Sequence, residues 1–594
     1  MRKGTQTISQ PSDNFARFTN RVDELARFQQ ALETPLEAPL PMLFFYGVAG
    51  AGKSWLKRRM IESLDQSKAV PRASIDFDSQ QGNPFKDDLR ATLHEIVRHL
   101  DIVCPRFEMA FYVFNVKMGQ LAANPASSDS DSAVEDWGEA ALTDLLGEVL
   151  HEIPAAGVVA KAYLLLAKRL SEPARQKTFR EWLKSESGRD DSKWLESASP
   201  QEINQDLCRR LGLDLLLQLP RRKNRACRAV IFLDTWEHIR RGKATGLQHY
   251  TDSEKWVVDL YGAAHSVNAV NEAFPFLQIV LFGRDHATWL DYDPDCRSQN
   301  VLEQHLVGGL SESDARNFLE KSQIADTALQ ESILKTSADA SNRVGAVGYH
   351  AYHLGLCVDT VFAERQQGIV STPESFDLPA DKKFALTDRF LQSLDEAGRR
   401  RVTRLALTPR FDDLALRMIC KAGNEDDTSV LCDEIKSYTF VQPAGQLGWF
   451  VLHPLMKSSL RDRAQAEGEE KLQASHETWR QYWTSRATEA TSPFAGLAWF
   501  HHWHLDPQAA LTDWIGAAVK ARSSLNYVAH RQLIDWWDGL AIERKKGLTS
   551  IEAGALDCLG SELRRTSLGL PQENLARAVK VYRSALEVRT RQLF

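Results

Sequence analysis

The chain lacks the features that would place it outside the ordinary globular class. Its 594 residues hold eight cysteines (Cys104, Cys208, Cys227, Cys296, Cys357, Cys420, Cys432 and Cys558), and no two stand in a CxxC spacing. That argues against a disulfide framework or a cysteine zinc motif and leaves reduced core thiols as the expectation. No stretch reaches 18 uncharged apolar residues, and the opening MRKGTQTISQPSDN has no apolar signal core. A soluble, cytoplasmic chain without a membrane partner is therefore expected. Positive charge is not in excess either: 73 Lys and Arg face 79 Asp and Glu, for a net charge of -6. Nucleic-acid binding would need a local basic patch and is not expected of the chain as a whole. The remainder is unexceptional, at 43% hydrophobic and 26% charged residues. Composition excludes a fibrous or wholly disordered chain, and length allows roughly three to five domains.

Four short segments read as strands. The run MLFFY (42–46) leads into a glycine-rich turn and a helix former, after a short helix over Asn20–Leu32. RASIDF (72–77) is a second strand, with a helix over Phe85–Leu100 behind it. AVIFLD (229–234) and FLQIVLFGRD (276–285) are two more. Apolar runs separated by helical segments predict a parallel sheet covered on both faces. Asn124–Asp136, rich in Ser, Asp and Ala, reads as disordered, and 138–217 as helical. After about residue 300 the strands largely stop. Residues 311–377 read as helical, 385–465 as three short helices with a hairpin TFVQ…WFVL, and 466 onward as helical again. Eight of the 15 tryptophans lie from Trp449 onward, which predicts helix pairs packed through large aromatics. The expected domains are a flexible 1–14, a core 15–300 with a helical insertion at about 119–217, a helical domain 301–380, a winged-helix-like domain 381–465 and a helical region 466–594.

The sharpest motif is Gly47-Val48-Ala49-Gly50-Ala51-Gly52-Lys53-Ser54, which fits GxxxxGK[ST] between a strand and a helix. Glycines let backbone N–H groups turn inward around phosphate, and a helix N-terminus adds partial positive charge. Lys53 reaches β- and γ-phosphates, and Ser54 offers a hydroxyl to Mg²⁺. Trp55, next in line, is grouped with this nucleotide-binding loop. A phosphate loop needs a carboxylate at a neighbouring strand end, and no other apolar run ends as cleanly in one as AVIFL does in Asp234. Glu237 lies three residues on; it either orients and deprotonates water or is a solvated residue at a helix start. Arg284, at the end of FLQIVLFG, points toward the nucleotide crevice and the γ-phosphate, or else pairs with Asp285 on the surface.

In this order, phosphate loop, acidic strand end, strand-end arginine, helical segment, winged-helix-like segment and helical tail resemble the STAND class of P-loop NTPases over roughly residues 15–465. That class includes the NACHT and NB-ARC modules of immune receptors and bacterial antiphage relatives. The resemblance implies an α/β P-loop NTPase core, a parallel sheet with helices on both faces, followed by a helical domain, a winged helix and an α-helical, TPR-like C-terminal region. It implies ATP and ADP with Mg²⁺ as cofactors, with slow ATPase activity serving as a switch. Further implications are a homo-oligomer on activation, a protein trigger, a separate effector, and a role in antiphage defence or stress signalling. FTNRVDEL (18–25), with Arg21, resembles the segment that packs near adenine, and Arg284 resembles the sensor arginine. In GAVGYHAYHL (345–354), His350 stands where the class has proline. His453, in LHPL (452–455), falls where such proteins carry a histidine facing the ADP phosphates. Thr235 stands where many relatives have a second acidic residue after Asp234, a departure that suits a slow switch.

The alternative is a nucleotide-controlled DNA-binding regulator acting through the winged helix. Arg399, Arg400, Arg401 and Arg404 form the basic run such a role would use, although a solvated helix face explains them as well. Near the end, Ala578, Tyr582 and Ala585 keep the spacing of a tetratricopeptide helix, with Leu559, Gly560 and Leu563 as its partner. A lone repeat cannot bury its own face, so a stop at Phe594 reads as a break before a repeat array or sensor.

Overall fold

The structure is a computed structural model that describes residues 21–34, 40–67, 70–77, 89–118, 157–169, 173–218, 221–222, 225–226, 229–240, 252–264, 277–287, 301–339, 348–378, 382–421, 425–443, 448–487, 493–523 and 533. The core is a five-stranded parallel sheet. Its strands are β1 (Met42–Tyr46), β2 (Arg72–Asp76), β3 (Ala229–Asp234), β4 (Leu277–Gly283) and β5 (Leu302–Leu306), and they lie in the order β2-β3-β4-β1-β5. The registers place Asp76 beside Asp234, and Tyr46 beside Gly283.

The apolar runs are continuous because both faces of the sheet are covered. Along a strand, side chains alternate between faces. Leu43, Phe45, Val230, Phe232, Val280 and Phe282 face one way, onto α1 (Val22–Glu33) and α2 (Lys53–Ser67). Met42, Phe44, Ile231, Leu233, Ile279 and Leu281 face the other way, into a larger core. That core also takes residues from α3 (Leu89–Leu100), α4 (Pro105–Lys117), α5 (Val158–Arg169), α6 (Pro173–Lys184), α7 (Glu186–Ser197), α8 (Pro200–Gln218) and α9 (Asp252–Ala264). The described part of the expected insertion is therefore packed into one face of the sheet.

The fifth strand lies beyond residue 300, where the sequence reading had closed the core. LEQHL carries too few apolar residues to read as a buried strand, and it forms the sheet edge beside β1. The predicted segment 124–136, and with it 119–156, lies outside the described residues, as do 534–594 with the TPR-like pattern.

The second half of the chain comprises α10 (Glu312–Lys321), α11 (Thr327–Ser337), α12 (Ala351–Gln366), α13 (Lys382–Gln392), α14 (Glu396–Leu407), β6 (Phe411–Asp412), α15 (Asp413–Cys420), α16 (Glu425–Ser437), β7 (Val441–Pro443), β8 (Trp449–Leu452), α17 (Pro454–Ala466), α18 (Glu469–Arg486), α19 (Pro493–Leu505) and α20 (Pro507–Ser523). The expected hairpin is β7–β8, and β6 adds a third antiparallel strand on its other side. One continuous core runs from Leu310 to Ala498, across the boundaries expected at 380 and 465. Its aromatic centre bears on the tryptophan expectation: Trp483 of α18 stacks on Phe494 of α19 at 5.9 Å between centroids, a contact between two helices, while Trp479 and Trp483 stack at 5.7 Å within α18. Arg410 sits over Trp449 and Arg486 over Phe494 as cation–π partners.

Five cysteines (Cys104, Cys208, Cys357, Cys420 and Cys432) are buried free thiols. Among the described residues no helix is long and apolar enough to cross a membrane. In the basic run, Arg399 donates to the Leu394 carbonyl at 3.1 Å and Arg400 lies 3.6 Å from Glu396, both on the exposed start of α14.

Besides the shared core, a buried carboxylate ties α12 to the end of α16. Asp359 of α12 accepts from the Thr439 amide at 2.9 Å and from its hydroxyl at 2.8 Å, and it is 1% exposed. Asp359→Ala would leave the part-buried Thr439 amide and hydroxyl without this acceptor, at a cost of about 1–2 kcal/mol. We expect a lower urea midpoint by tryptophan fluorescence, with Asp359→Asn, which keeps an acceptor, falling less.

Candidate nucleotide-binding site

The phosphate loop leaves β1 at Gly47 and enters α2 at Lys53. Gly50 and Gly52 take φ values of 82° and 91°, the left-handed geometry that turns neighbouring amides to one side and suits an anion. Gly50 is also fixed by crowding, because a Cβ there would meet the His350 ring at 2.5 Å. The Lys53 ammonium folds back to donate to the carbonyls of Gly47 at 2.7 Å and Val48 at 2.9 Å. Burial lowers its pKa, Asp234 and Glu237 oppose that, and the charges of Arg284 and Arg21 lower it again.

Asp234, at the C-terminal end of β3, is 4% exposed and fully engaged. Its Oδ2 lies 3.4 Å from the Ser54 hydroxyl, which donates to it, and 2.6 Å from the Lys57 ammonium. Its Oδ1 accepts the Thr235 amide at 2.8 Å. Thr235 holds φ at 59°, a strained position for a β-branched residue. Its hydroxyl donates to Asp76 Oδ1 at 2.7 Å, so the residue ties together the carboxylates at the ends of β2 and β3. Burial pushes the Lys57 pKa down, but the charges of Asp234 and then Asp76 more than offset this, and it ends above its ordinary value.

Glu237 and Arg284 are brought together. Arg284 Nε lies 2.8 Å from Glu237 Oε1, and the Arg284 amide donates to Oε2 at 3.2 Å. The arginine thus pairs with Glu237, while Asp285 is exposed. Arg21 starts α1 with φ at 70°, and its guanidinium donates to Ala51 O at 2.9 Å and Gly308 O at 2.7 Å. It braces the end of the loop against the exit of β5. Trp55 turns to its own helix, with the Arg58 guanidinium 4.8 Å over its ring.

Residues from the second half form a roof. His350 Nε2–H donates to Ala49 O at 3.0 Å, and the Tyr352 amide donates to Gly50 O at 3.3 Å. Tyr352 stacks on His453 at 4.5 Å with 18° between planes. His453 caps α17, its Nδ1 accepting the Leu455 amide at 3.3 Å, which leaves the proton of the neutral ring on Nε2. Burial, followed by the charges of His350, Lys53, Arg284 and His353, lowers its pKa to about 3. Cationic and donor groups therefore converge on the loop, an environment suited to an anion.

The residues fit a magnesium nucleotide. Ser54 and Asp234 present two hard oxygens at 3.4 Å, and magnesium takes such donors together with phosphate oxygens and water. Among the described residues no group of three His, Cys, Asp or Glu side chains could hold a metal by itself. The sequence reading missed Lys57, although it stands four residues after Lys53 on one helix face. It also passed over Asp76 as a site residue, because RASID is less uniformly apolar than AVIFLD.

No family model matches the chain, and no curated protein matches it. Solved structures align over most of its length at low similarity. The Aeropyrum pernix ORC2 protein in ADPNP–ADP complexes is 11% identical at a TM-score of 0.32, over 77% of this chain and 98% of that one. Cdc6p from Pyrobaculum aerophilum is 11% identical at 0.27, over 77% and 98%. Drosophila ORC bound to DNA is 11% identical at 0.27, over 78% and 95%. At these scores the superpositions carry no argument for this chain, whose fold and site rest on its own strand order and loop geometry.

Because the folded-state pKa of His453 lies below the ordinary 6.5, the unfolded chain takes up the proton first. The stability that His453 contributes is complete above pH 6.5 and is lost as the pH falls toward 3. His501, depressed further by burial and by His476 and His504, adds to the same slope. His453→Asn keeps a capping acceptor and cannot titrate. Its thermal midpoint should fall less steeply than wild type between pH 6.5 and 4.5.

Proposed function

We propose that the chain is an ATP/ADP-operated switch of the STAND kind, with the nucleotide held on the phosphate loop and its state read by the second half of the molecule. The observation that carries this reading is the roof: His350 and Tyr352 bond to the loop backbone, and His453 stacks on Tyr352. A change in what the loop holds is therefore felt by α12 and by the winged-helix segment at once.

The roles follow from the contacts. Gly47, Gly50, Ala51 and Gly52 supply the loop backbone, Lys53 the phosphate cation, and Ser54 with Asp234 the magnesium oxygens. Bound magnesium would neutralise phosphate charge and steady the leaving group. The neutral His453 offers a donor suited to a diphosphate. Arg284 has to leave Glu237 before it can reach a γ-phosphate, and only then is Glu237 released to work on water. That mutual occupation favours slow hydrolysis. Driving a two-state switch from 1:99 to 99:1 takes about 5.5 kcal/mol of differential binding, to which the exchange at Arg284 and the loss of the His453 contact both contribute. Release of the roof would expose a surface for self-association, and the resemblance extends the proposal to defence or stress signalling with a protein trigger and a separate effector.

Purified protein should release ADP on denaturation and sediment as a monomer, whereas Lys53→Ala should release none; nucleotide-free wild type would refute the reading. His453→Ala should form a larger species with ATP–Mg²⁺ at concentrations where wild type stays monomeric by light scattering.

A further inference from the structure

We infer that Lys57 is a tethered cation that occupies Asp234 in place of a divalent metal, and that Asp76 receives its ammonium when the metal binds. This rests on the nucleotide-site reading above. Helix geometry puts Lys53 and Lys57 on one face of α2, one turn apart, yet the two are used differently. Lys53 reaches into the loop, while Lys57 reaches under it to Asp234 Oδ2 at 2.6 Å, with side-chain exposures of 12% and 5%. The same oxygen accepts from Ser54 at 3.4 Å. Asp234 Oδ1 is already taken by the Thr235 amide. A metal bridging from Ser54 would thus need the oxygen that the ammonium holds. Two cations on one largely buried carboxylate oxygen repel strongly, so the lysine has to yield.

Asp76 gives it a destination. It lies in register with Asp234 on the neighbouring strand, about 4.8 Å away across the ladder. After Asp234, it is the carboxylate whose charge acts most on Lys57. Thr235 holds the spacing of the two acids, its amide on one and its hydroxyl on the other. The strained backbone at Thr235 is explained by this bridging. A long, flexible ammonium stem moves one strand over without leaving carboxylate contact. Asp234 is then neutralised without metal in the resting state, and the triphosphate state has to displace a bound cation. The chain's response to ATP becomes a response to ATP and magnesium together.

The test uses the full chain and reads the Mg²⁺ concentration that gives half of the thermal stabilisation by saturating ATP. Lys57→Met should lower that concentration roughly tenfold, the order of effect of one neighbouring unit charge. Lys57→Arg should leave it near wild type. Asp76→Asn should raise it several-fold, and because Asp76 is exposed and Asn still accepts from Thr235, this arm decides the matter if Lys57→Met does not fold. Protection that Lys53→Ala abolishes, combined with a Lys57→Met midpoint that is unmoved or raised, overturns the lysine inference alone; so does a lowered midpoint in Asp76→Asn. Wild type with no ATP-dependent shift at any Mg²⁺ concentration overturns the nucleotide reading and this inference with it.

Discussion

A buried carboxylate has to be paired, and much of the molecule is arranged around the pairing of Asp234. It stands at the end of β3 under the phosphate loop, where a lysine, a serine hydroxyl and a backbone amide share its two oxygens. Each partner arrives on a different segment whose position is fixed by something else. The lysine and serine come from α2, which is pinned by the sheet face it covers. The amide comes from a residue forced into a left-handed turn. The charge of Asp234 therefore makes the strand order consequential: with β4 between β1 and β3, the loop, the acidic end and Arg284 meet at one edge.

The second constraint is crowding. The loop needs glycine at Gly50 for its backbone angle and also because His350 stands against it. Two independent requirements thus hold one position to glycine, one from the loop's own backbone and one from the roof. Burial of His453, reinforced by the charges around it, has a related effect: it keeps the imidazole neutral and so preserves its capping bond while leaving a donor on the other nitrogen.

Much of the half that carries the glycine-rich loop was legible from residue pattern. MLFFY, AVIFL and FLQIVLFG are apolar at all but one position because both sheet faces are buried, the exception being Gln278, whose amide donates to the Pro41 carbonyl; the glycine-rich turn between strand and helix has few other uses. What stayed hidden was whatever depends on long-range placement. LEQHL became a strand only because β1 lies beside it. Asp76 became part of the site through register, which no local pattern reports. Lys57 was visible as a helix neighbour of Lys53, but its partner lies 177 positions further along the chain in β3. The pairing of Glu237 with Arg284, in place of a local Arg284–Asp285 pair, likewise depends on how two strand ends meet.

The single core that joins the helical segment, the winged helix and the first tail helices gives that half the stiffness of one object. It meets the loop through His350 and Tyr352, with His453 stacked on Tyr352. Helix α18 alone has 18 residues, about 27 Å of rigid rod. A body of that kind would act as a crank: a pivot of about 5° at one end of such a rod, too small to disturb the sheet, would carry its far end through roughly 2 Å.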